Sequence, residues 1–373
     1  MTRPPARIGD PLSAVDTPAL IIDLDAFEFN LRRLPESLIG KPVRIRPHAK
    51  THKSPIIALK QIELGAIGVC CQKVSEAEAL VYGGVHDVFV SNEIIGAQKL
   101  ERLAALAKLA TIGVCVDDMQ NVGDIAAAAA RLNVKLDVYV EIDVGTFRCG
   151  VAPGEPAVAI AKEIGASKRL RFAGLHAYHG AAQHQRSDAA RRASIHAASQ
   201  HALATRQALQ SAGLDCPIIT GAGTGTYLIE ARSQVYNEIQ PGSYIFMDAD
   251  YGHNLGEDGA PISNFRQSLF LWATVMSRPS SDRAVVDAGL KALSIDSGMP
   301  LVADLRGVEY ARASDEHGVL LIKNSETPIK LGEKIRLTPG HCDPTVNLHD
   351  WYVGVRNGMV EQLWPISARG AMF

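Results

Sequence analysis

The sequence predicts an α/β protein: a closed (β/α)8 barrel of the TIM type, joined to a β-rich C-terminal domain that the N-terminal segment completes. Three observations predict this fold class. The 373 residues exceed what a single hydrophobic core usually supports. Between about residues 43 and 250, short β-branched runs alternate with amphipathic stretches. After residue 260, strands joined by turns replace that alternation.

Eight apolar runs in the first part indicate buried strands. Because these runs are apolar on both faces, we expect a parallel sheet whose outer face is covered by helices. Eight strand–helix units favour a closed barrel over an open doubly wound sheet. The strand runs are 42–49, 66–71, 87–92, 110–118, 136–143, 171–179, 217–223 and 238–246. The helical patterns between them are 54–66, 74–84, 96–110, 121–133, 155–167 and 188–214.

The two ends of the chain supply the second predicted domain. Residues 17–34 read as a strand and a helix outside the count of eight, and Asn357-Gly358 is a strong signal for a type I′ hairpin. We therefore expect a barrel over residues 24–260, and a β-rich domain that combines residues 1–23 with 261–373 and carries a metal site. The strand runs after the barrel are 265–277, 283–289, 308–313, 318–323, 333–340 and 351–365.

Composition and charge exclude several classes of protein. With 38 Lys and Arg against 40 Asp and Glu, the chain lacks the basic excess of a nucleic-acid-binding protein. No apolar run reaches the roughly 18 residues that a membrane span needs, and the N-terminus lacks the apolar core of a signal peptide. Six cysteines without a C-x-x-C pair indicate reduced, buried thiols. We expect a cytoplasmic protein that binds neither nucleic acid nor membrane.

Polar residues just past the barrel strands are the first candidates for a site, because barrel enzymes place their active sites there. Among them we take Gln72 and Tyr178 as candidate cofactor-binding residues. The full set is His48, Lys50, Gln72, Asn92, Asp143, Arg148, His176, Tyr178 and His179, with the loops at 220–226 and 242–244.

A glycine-rich loop follows the seventh barrel strand, where barrels commonly bind phosphate. Its sequence TGAGTGT offers hydroxyl groups and uncrowded backbone N–H groups, which a phosphate needs. The PGSY segment after strand eight would complete this cradle, although such a loop can equally be a plain turn. The candidates are Thr220, Gly223, Thr224, Gly225, Gly242, Ser243 and Tyr244.

A lysine at a strand end together with a phosphate site suggests pyridoxal phosphate, whose aldehyde reacts with an amine. Lys50 falls at the end of the first strand, whereas Lys53 precedes a helix start at Pro55 and is expected to face solvent or an anion. We expect Arg46 and His48 to keep Lys50 neutral by charge repulsion. A solvated basic loop is the alternative interpretation.

His341 and Asp343 form a second concentration of polar groups, in the sequence HCDPT. On an extended segment the two side chains share one face and offer an imidazole and a carboxylate to a divalent ion. Mn²⁺ is the preferred choice, with Mg²⁺, Co²⁺ and Zn²⁺ open. A hydrogen-bonded turn before Pro344 is the alternative, and SDEHG at 314–318 is similarly ambiguous.

Ten segments in order along nearly the whole chain resemble the D-threonine aldolase group of the alanine-racemase-type, fold type III pyridoxal phosphate enzymes. The resemblance implies a dimer of barrel plus β-domain subunits. It also implies that Lys50 binds the cofactor, that His341 and Asp343 bind the metal, that Arg148 faces the pyridine nitrogen, and that His179 lies beside the substrate hydroxyl. The segments are TPALIIDLDAFEFN, RPHAKTHKSP, GVCCQKVSEAEAL, VEIDVGTFRCGV, AYHGAAQH, TGAGTGT, QPGSYIFMDADYG, VVDAGLKALSIDSG, SDEHGVL and PGHCDPTVNLHDWYVGVRNG.

The activity that this resemblance implies is metal-dependent retro-aldol cleavage of a D-β-hydroxy-α-amino acid. D-threonine or D-allo-threonine would give glycine and acetaldehyde, with Lys50 and His179 as the catalytic residues. D-3-hydroxyaspartate aldolases share the HCDPT segment and are the first alternative. The related dehydratases of D-serine or D-3-hydroxyaspartate carry His-x-Cys where this chain has His341-x-Asp343, so they are the less favoured alternative.

Two hypotheses from other functional classes also stay open. A non-catalytic pyridoxal phosphate carrier is known among barrel-only relatives, but the β-rich domain with its HCDP segment argues against it. A metal-dependent barrel hydrolase would need histidine clusters on the early strands, and the sequence lacks them.

Overall fold

The computed structural model describes residues 2–323 and 328–373, which form two sheets. The strands are β1 (Ala19–Asp23), β2 (Arg44–Ile45), β3 (Val69–Cys71), β4 (Asp87–Glu93), β5 (Thr111–Val116), β6 (Leu136–Glu141), β7 (Leu170–His176), β8 (Ile218–Gly221), β9 (Glu238–Ile239), β10 (Leu269–Ser280), β11 (Arg283–Val286), β12 (Leu301–Val302), β13 (Val308–Ala313), β14 (Gly318–Ile322), β15 (Lys334–Thr338), β16 (Trp351–Arg356) and β17 (Met359–Pro365). The α-helices are α1 (Leu24–Ser37), α2 (Pro55–Glu63), α3 (Val74–Tyr82), α4 (Ala97–Leu106), α5 (Met119–Leu132), α6 (Glu155–Ala166), α7 (Asp188–Ser211), α8 (Tyr227–Arg232), α9 (Ala249–Gly252) and α10 (Cys342–Val346). Short 3₁₀ turns span Leu12–Ala14, Ala181–His184 and Ser243–Ile245.

The barrel contains the eight parallel strands that the sequence predicts. Their order is β2-β9-β8-β7-β6-β5-β4-β3, and a bridge between His48 and Cys70 closes the ring. The N–H of Ala49 donates to the carbonyl of Cys70 at 2.8 Å across this closure. The predicted closed barrel is therefore confirmed.

Local sequence signals fix the ends of the covering helices. α2 begins with Pro55. Proline is favourable at the first helical position, because a backbone N–H there would have no acceptor within the helix. The Asp118 carboxylate caps α5 by accepting hydrogen bonds from two backbone N–H groups, and Asn133 ends this helix in the left-handed conformation. The apolar faces of these helices pack on the outside of the barrel strands.

The second sheet joins both ends of the chain, as predicted. Its path is β13-β14-β11-β10-β1-β16-β17, with β15 on β10 and β12 on β15. β1 lies at the centre, antiparallel to β10 and parallel to β16. The predicted hairpin connects β16 and β17, because Asn357 and Gly358 both have positive φ, 50° and 73°, as a type I′ turn requires. The domain limits given above remain a prediction.

The second domain meets the mouth of the barrel. The N–H of Ala249 donates to the carbonyl of Pro339 at 2.9 Å, and the hydroxyl of Tyr352 donates to the carbonyl of His52 at 2.8 Å. These bonds join the segment before α10 to α9, and β16 to the chain segment that follows β2. The six cysteines are free, and five of them are buried, which agrees with the predicted reduced thiols. Among the described residues, no helix has both the length and the apolar character to cross a membrane.

Gly174 in β7 tests the close contact between neighbouring barrel strands. Its φ is +146°, and a Cβ atom there would overlap the carbonyl of Ile218 on β8. We expect Gly174→Ala to lower the free energy of unfolding by roughly 2–4 kcal/mol, measured by urea denaturation.

The matched control for this substitution is Gly123→Ala. Gly123 is exposed on α5, and a Cβ atom there meets no neighbour within 4 Å. This alanine should stabilise the protein by up to about 1 kcal/mol. Equal stability of the two variants would contradict the described strand contact.

Candidate active site

A cavity of about 220 Å³ lies at the carboxyl ends of the barrel strands, where the sequence predicts the site. Its lining is mostly polar. The predicted site residues among the lining are Lys50, Gln72, Arg148, Tyr178, Gly223, Thr224, Gly242 and Ser243. The other lining residues are His48, Thr51, Ser91, His176, Gln240 and Tyr251.

Lys50 reaches the cavity and contacts the second domain. Its Nζ lies 2.7 Å from Oδ2 of Asp343, the first acidic residue of α10. The Asp343 carboxylate raises the pKa of Lys50 above its usual value. Burial works to raise the pKa of Asp343, but the charges of Lys50 and His341 and the hydrogen bond from Lys50 together outweigh it, so that pKa lies below its usual range. Both groups are therefore ionised in this arrangement.

The expectation that Arg46 and His48 keep Lys50 neutral is wrong. The Arg46 guanidinium points to the opposite, amino-terminal end of the barrel, where it bonds Glu238 at 3.0 Å and Asp87 at 2.5 Å. Burial and the Lys50 charge lower the pKa of His48 well below its usual value, so His48 is neutral. Neither residue therefore repels the Lys50 ammonium group.

Lys53 is separated from the cavity, although only two residues lie between it and Lys50. Its side chain is buried and pairs with Glu76 of α3 at 2.5 Å, and its backbone has a positive φ of 50°. An anion partner was one of the two expected environments, and exposure to solvent, the other, is not observed. Lys50 is therefore the lysine available to a cavity ligand.

Backbone N–H groups at one end of the cavity suit a phosphate. Within the described residues, the N–H groups of Gly223, Thr224, Gly242 and Ser243 donate to no protein acceptor. Gly242 is needed for the close approach, because a Cβ atom there would lie 2.6 Å from Oγ1 of Thr51. That hydroxyl is itself buried and finds no hydrogen-bond partner in the part of the chain that the structure describes. Unpartnered donors around a cavity are the features of an anion site.

Three of the predicted phosphate residues do not line this cavity. The Thr220 hydroxyl accepts from Nε2 of Gln240 at 2.7 Å, and the Gly225 N–H donates to Oε1 of Gln183 at 3.0 Å. The Tyr244 hydroxyl accepts from Gln61, and the Tyr244 N–H donates to Oγ1 of Thr224 at 2.9 Å. Their polar groups hold the loops together instead.

An anion lies behind the opposite wall of the cavity. The Glu141 carboxylate accepts from Nδ1 of His176 at 2.9 Å and lies 3.9 Å from the Arg148 guanidinium. Arg148 is half exposed and also lies 5.8 Å from the ring of Tyr178. Burial works to raise the pKa of Glu141, but His176 and Arg148 outweigh it and lower that pKa. Glu141 thus orients two side chains that line the cavity.

His341 and Asp343 have the environment of metal ligands, but only His341 has the expected extended backbone, with φ −140° and ψ 124°. His341 caps α10 and Asp343 lies in its first turn. Of the two ring nitrogens of His341, Nδ1 makes hydrogen bonds, chiefly with Asp296 at 2.8 Å. Nε2 makes none with the described residues and is available to a ligand. An imidazole held by a carboxylate through its other nitrogen is the common arrangement of a metal-binding histidine. The residues present therefore fit a divalent ion.

His179 does not line the cavity. Its Nδ1 accepts from the N–H of Ala182 at 3.3 Å, and its Nε2 faces Gly145, where an added Cβ atom would lie 2.8 Å away. Burial lowers the pKa of His179. Both ring nitrogens thus face the protein, which does not support the predicted contact with the substrate hydroxyl.

His184 has a more open position in the same loop. Its Nδ1 lies 2.5 Å from Oδ2 of Asp250, and its ring centre lies 5.9 Å from that of Tyr251, which lines the cavity. The N–H of Asp250 donates to the carbonyl of Gly340, directly before His341. Burial opposes ionisation of Asp250, but hydrogen bonds from His184 and Arg186 lower its pKa to about 2. His184 is therefore an oriented imidazole that Asp250 links to the segment preceding the candidate metal ligands.

Several functional positions escaped the sequence interpretation. His48 and His176 were among the strand-end candidates for the site, but neither was predicted to bind the cofactor or a metal. Thr51 and Ser91 adjoin the predicted positions Lys50 and Asn92, whereas Gln240 and Tyr251 lie outside the predicted loop at 242–244. Asp250 and Asp296 act only through their histidine partners, and the local sequence carries no signal for contacts across so many residues.

Two family models cover most of the chain. The alanine racemase N-terminal domain matches residues 22–250, and the putative serine dehydratase domain matches residues 268–355. These ranges correspond to the barrel and to much of the second sheet.

Two curated relatives and one solved structure match over almost their full lengths. A 3-hydroxy-D-aspartate aldolase from Paracoccus denitrificans (strain Pd 1222) is 48% identical, with 98% of this chain and 95% of the relative covered. A D-threonine aldolase from Arthrobacter sp is 46% identical, with 98% and 96% covered. The crystal structure of D-threonine aldolase from Filomicrobium marinum is 50% identical with a TM-score of 0.96, and both chains are covered completely. Dehydratases of the same fold are less similar. The chain therefore belongs to the alanine-racemase-like, fold type III family, in the group that contains these aldolases.

Proposed function

We propose that the protein cleaves the Cα–Cβ bond of D-β-hydroxy-α-amino acids, giving glycine and an aldehyde, with pyridoxal phosphate and a divalent metal ion as cofactors. One observation carries the proposal: Lys50 and Asp343 meet at 2.7 Å at the cavity. The candidate covalent lysine and a candidate metal ligand therefore share one point. D-threonine and D-allo-threonine, which would yield acetaldehyde, are the preferred substrates.

The cavity residues divide into three binding functions. Lys50 would bind the cofactor aldehyde covalently, and the free N–H groups of Gly223, Thr224, Gly242 and Ser243 would bind its phosphate. Arg148 would face the pyridine nitrogen, and a guanidinium cannot give up its proton there. When bound, pyridoxal phosphate supplies an electron-withdrawing ring that stabilises negative charge at Cα.

The second domain contributes the residues that would bind the substrate hydroxyl through a metal. Nε2 of His341 and the Asp343 carboxylate are the donors, and Asp296 fixes the His341 ring. A divalent ion held there lowers the pKa of a bound hydroxyl group. Asp343 would then exchange its contact with Lys50 for the ion. Mn²⁺ remains our choice among the divalent ions.

A proton acceptor for the substrate hydroxyl completes the proposed site. The sequence favours His179, but its ring nitrogens face the protein. His184 is the candidate that the contacts support, because Asp250 orients it and its ring is 48% exposed. A base at this position would act directly or through one water molecule.

D-3-hydroxyaspartate has a second carboxylate that needs an additional cation in the site. The three candidate cations are placed or paired in ways that do not serve this carboxylate, which favours D-threonine as the substrate. Arg46 is at the far end of the barrel, and His317 lies in an exposed turn between β13 and β14. Arg186 lies near the cavity mouth but already binds Asp250. A homodimer and a cytoplasmic location remain predictions.

A product assay on the purified holoenzyme tests this function. We expect glycine and acetaldehyde from D-threonine, with a lower rate for glyoxylate release from D-3-hydroxyaspartate and no ammonia from either. Exhaustive chelation should abolish cleavage while the visible cofactor band remains, because Lys50 and the metal ligands are separate groups. Asp343→Asn should reproduce this loss, whereas His317→Ala is the matched control with normal activity.

Two outcomes of that assay would contradict the proposal. Full activity after chelation would remove His341 and Asp343 from the reaction. A yellow protein inert toward both substrates would favour the non-catalytic carrier.

Paired histidine variants test the proton acceptor. We expect His184→Ala to lower kcat by about 10²–10⁴-fold, the usual contribution of a general base, with the metal still bound. His179→Ala should have a much smaller effect, since that ring packs against the Gly145 backbone. The measurement is steady-state kinetics with D-threonine and Mn²⁺. A large loss confined to His179→Ala would restore the sequence prediction.

A further inference from the structure

Glu93, the last residue of β4, is a partly buried acid whose carboxylate oxygens have no hydrogen-bond partner among the described residues. Both of its carboxylate oxygens are shielded from solvent, and no hydrogen-bond donor of the described residues reaches them. A buried carboxylate without a donor is costly, because it loses its hydration and receives no hydrogen bond in return. An ionised Glu93 would therefore be unfavourable at this position.

The groups that face Glu93 are themselves acidic. Asp117 and Cys149 have ligand atoms within 4.8 Å of the Glu93 carboxylate, and Cys115 is its strand partner on β5. Burial, then the neighbouring charges of Glu141 and Asp117, raise the pKa of Glu93 to about 7. Burial and Glu93 likewise raise the pKa of Cys149 to about 11, so that thiol is protonated.

Each neighbour of Glu93 either already accepts a hydrogen bond in its ionised form or is a weak hydrogen-bond donor. Oδ2 of Asp117 accepts from the N–H of Gly150 at 3.0 Å, which stabilises its ionised form. Glu141 accepts from His176 and faces Arg148, which stabilises its ionised form as well. The Glu141 carboxyl group also lies within hydrogen-bond reach of Glu93. The acid that can most readily keep a proton is thus Glu93.

We propose that Glu93 is held as a neutral carboxylic acid that donates its proton to the Glu141 carboxylate and so positions Glu141 beneath His176 and Arg148. Glu93 touches neither cofactor nor substrate, so it is a positioning residue. The Glu93–Glu141 pair then carries one negative charge. That charge holds the two side chains in the cavity wall where, on the proposed function, the cofactor ring binds.

Infrared difference spectroscopy tests the protonation of Glu93 directly. At pH 6, the difference between wild type and Glu93→Gln should show the carbonyl stretch of a protonated carboxylic acid. The difference between wild type and Asp117→Asn, the matched control, should lack this band. Absence of the band from the Glu93→Gln difference would overturn the proposal. This readout needs no cofactor, so it is independent of the proposed function.

Affinity for pyridoxal phosphate tests the positioning role. Glu93→Gln keeps a donor toward Glu141, so its dissociation constant should stay within about threefold of wild type. Glu93→Ala removes the donor and should weaken binding about tenfold, the effect of one lost hydrogen bond to a charged group. Wild-type-like affinity of Glu93→Ala, or equal weakening in both variants, would overturn the positioning role. Failure of the wild type to bind the cofactor would instead refute the proposed function.

Discussion

The contact between Lys50 and Asp343 is the interaction on which the organisation of the site depends. It joins the end of the first barrel strand to α10, across 293 positions of sequence. The contact fixes the relative positions of the two side chains and adds little to the free energy of unfolding. Because the Lys50 side chain is 42% exposed, water screens the pair, and we expect a contribution on the order of ~1 kcal/mol. The second domain is thereby tied to the barrel at the proposed reaction centre.

At the barrel mouth, three carboxylates each orient one neighbouring cation or imidazole. Asp343 holds Lys50, Glu141 holds His176, and Asp250 holds His184. In each case hydrogen bonds or opposite charges outweigh burial and lower the pKa of the carboxyl group. Ionised carboxylates in fixed positions thus keep the surrounding side chains preorganised for ligands.

The fold was largely predictable from the sequence because its signals are local. Apolar runs marked the eight barrel strands, and Asn357-Gly358 marked the hairpin because only a few residues adopt positive φ readily. Lys50 was predictable for the same reason, since the end of a barrel strand is a defined place. The central position of β1 in the second sheet is a long-range feature, and only the strand itself was visible in the sequence.

The electrostatic partners were not predictable, because they are chosen by three-dimensional packing. Arg46 and Lys50 are close in sequence, yet their side chains point to opposite ends of the barrel, so the expected repulsion does not occur. His179 was the histidine predicted beside the substrate hydroxyl, and His184 of the same segment was recognised only from its contacts with Asp250 and Tyr251. The HCDPT segment identified His341 and Asp343, but not the helical turn that begins at Cys342, whose N–H donates to the distant Asp248 carboxylate at 2.9 Å.

The most direct test of this account is a crystal structure of the protein grown with pyridoxal phosphate and Mn²⁺, with anomalous data collected at the manganese absorption edge. The account predicts continuous density from Nζ of Lys50 to the cofactor, and a manganese peak bound by Nε2 of His341 and the Asp343 carboxylate. Cofactor density on Lys53, or a manganese peak away from His341 and Asp343, would contradict it.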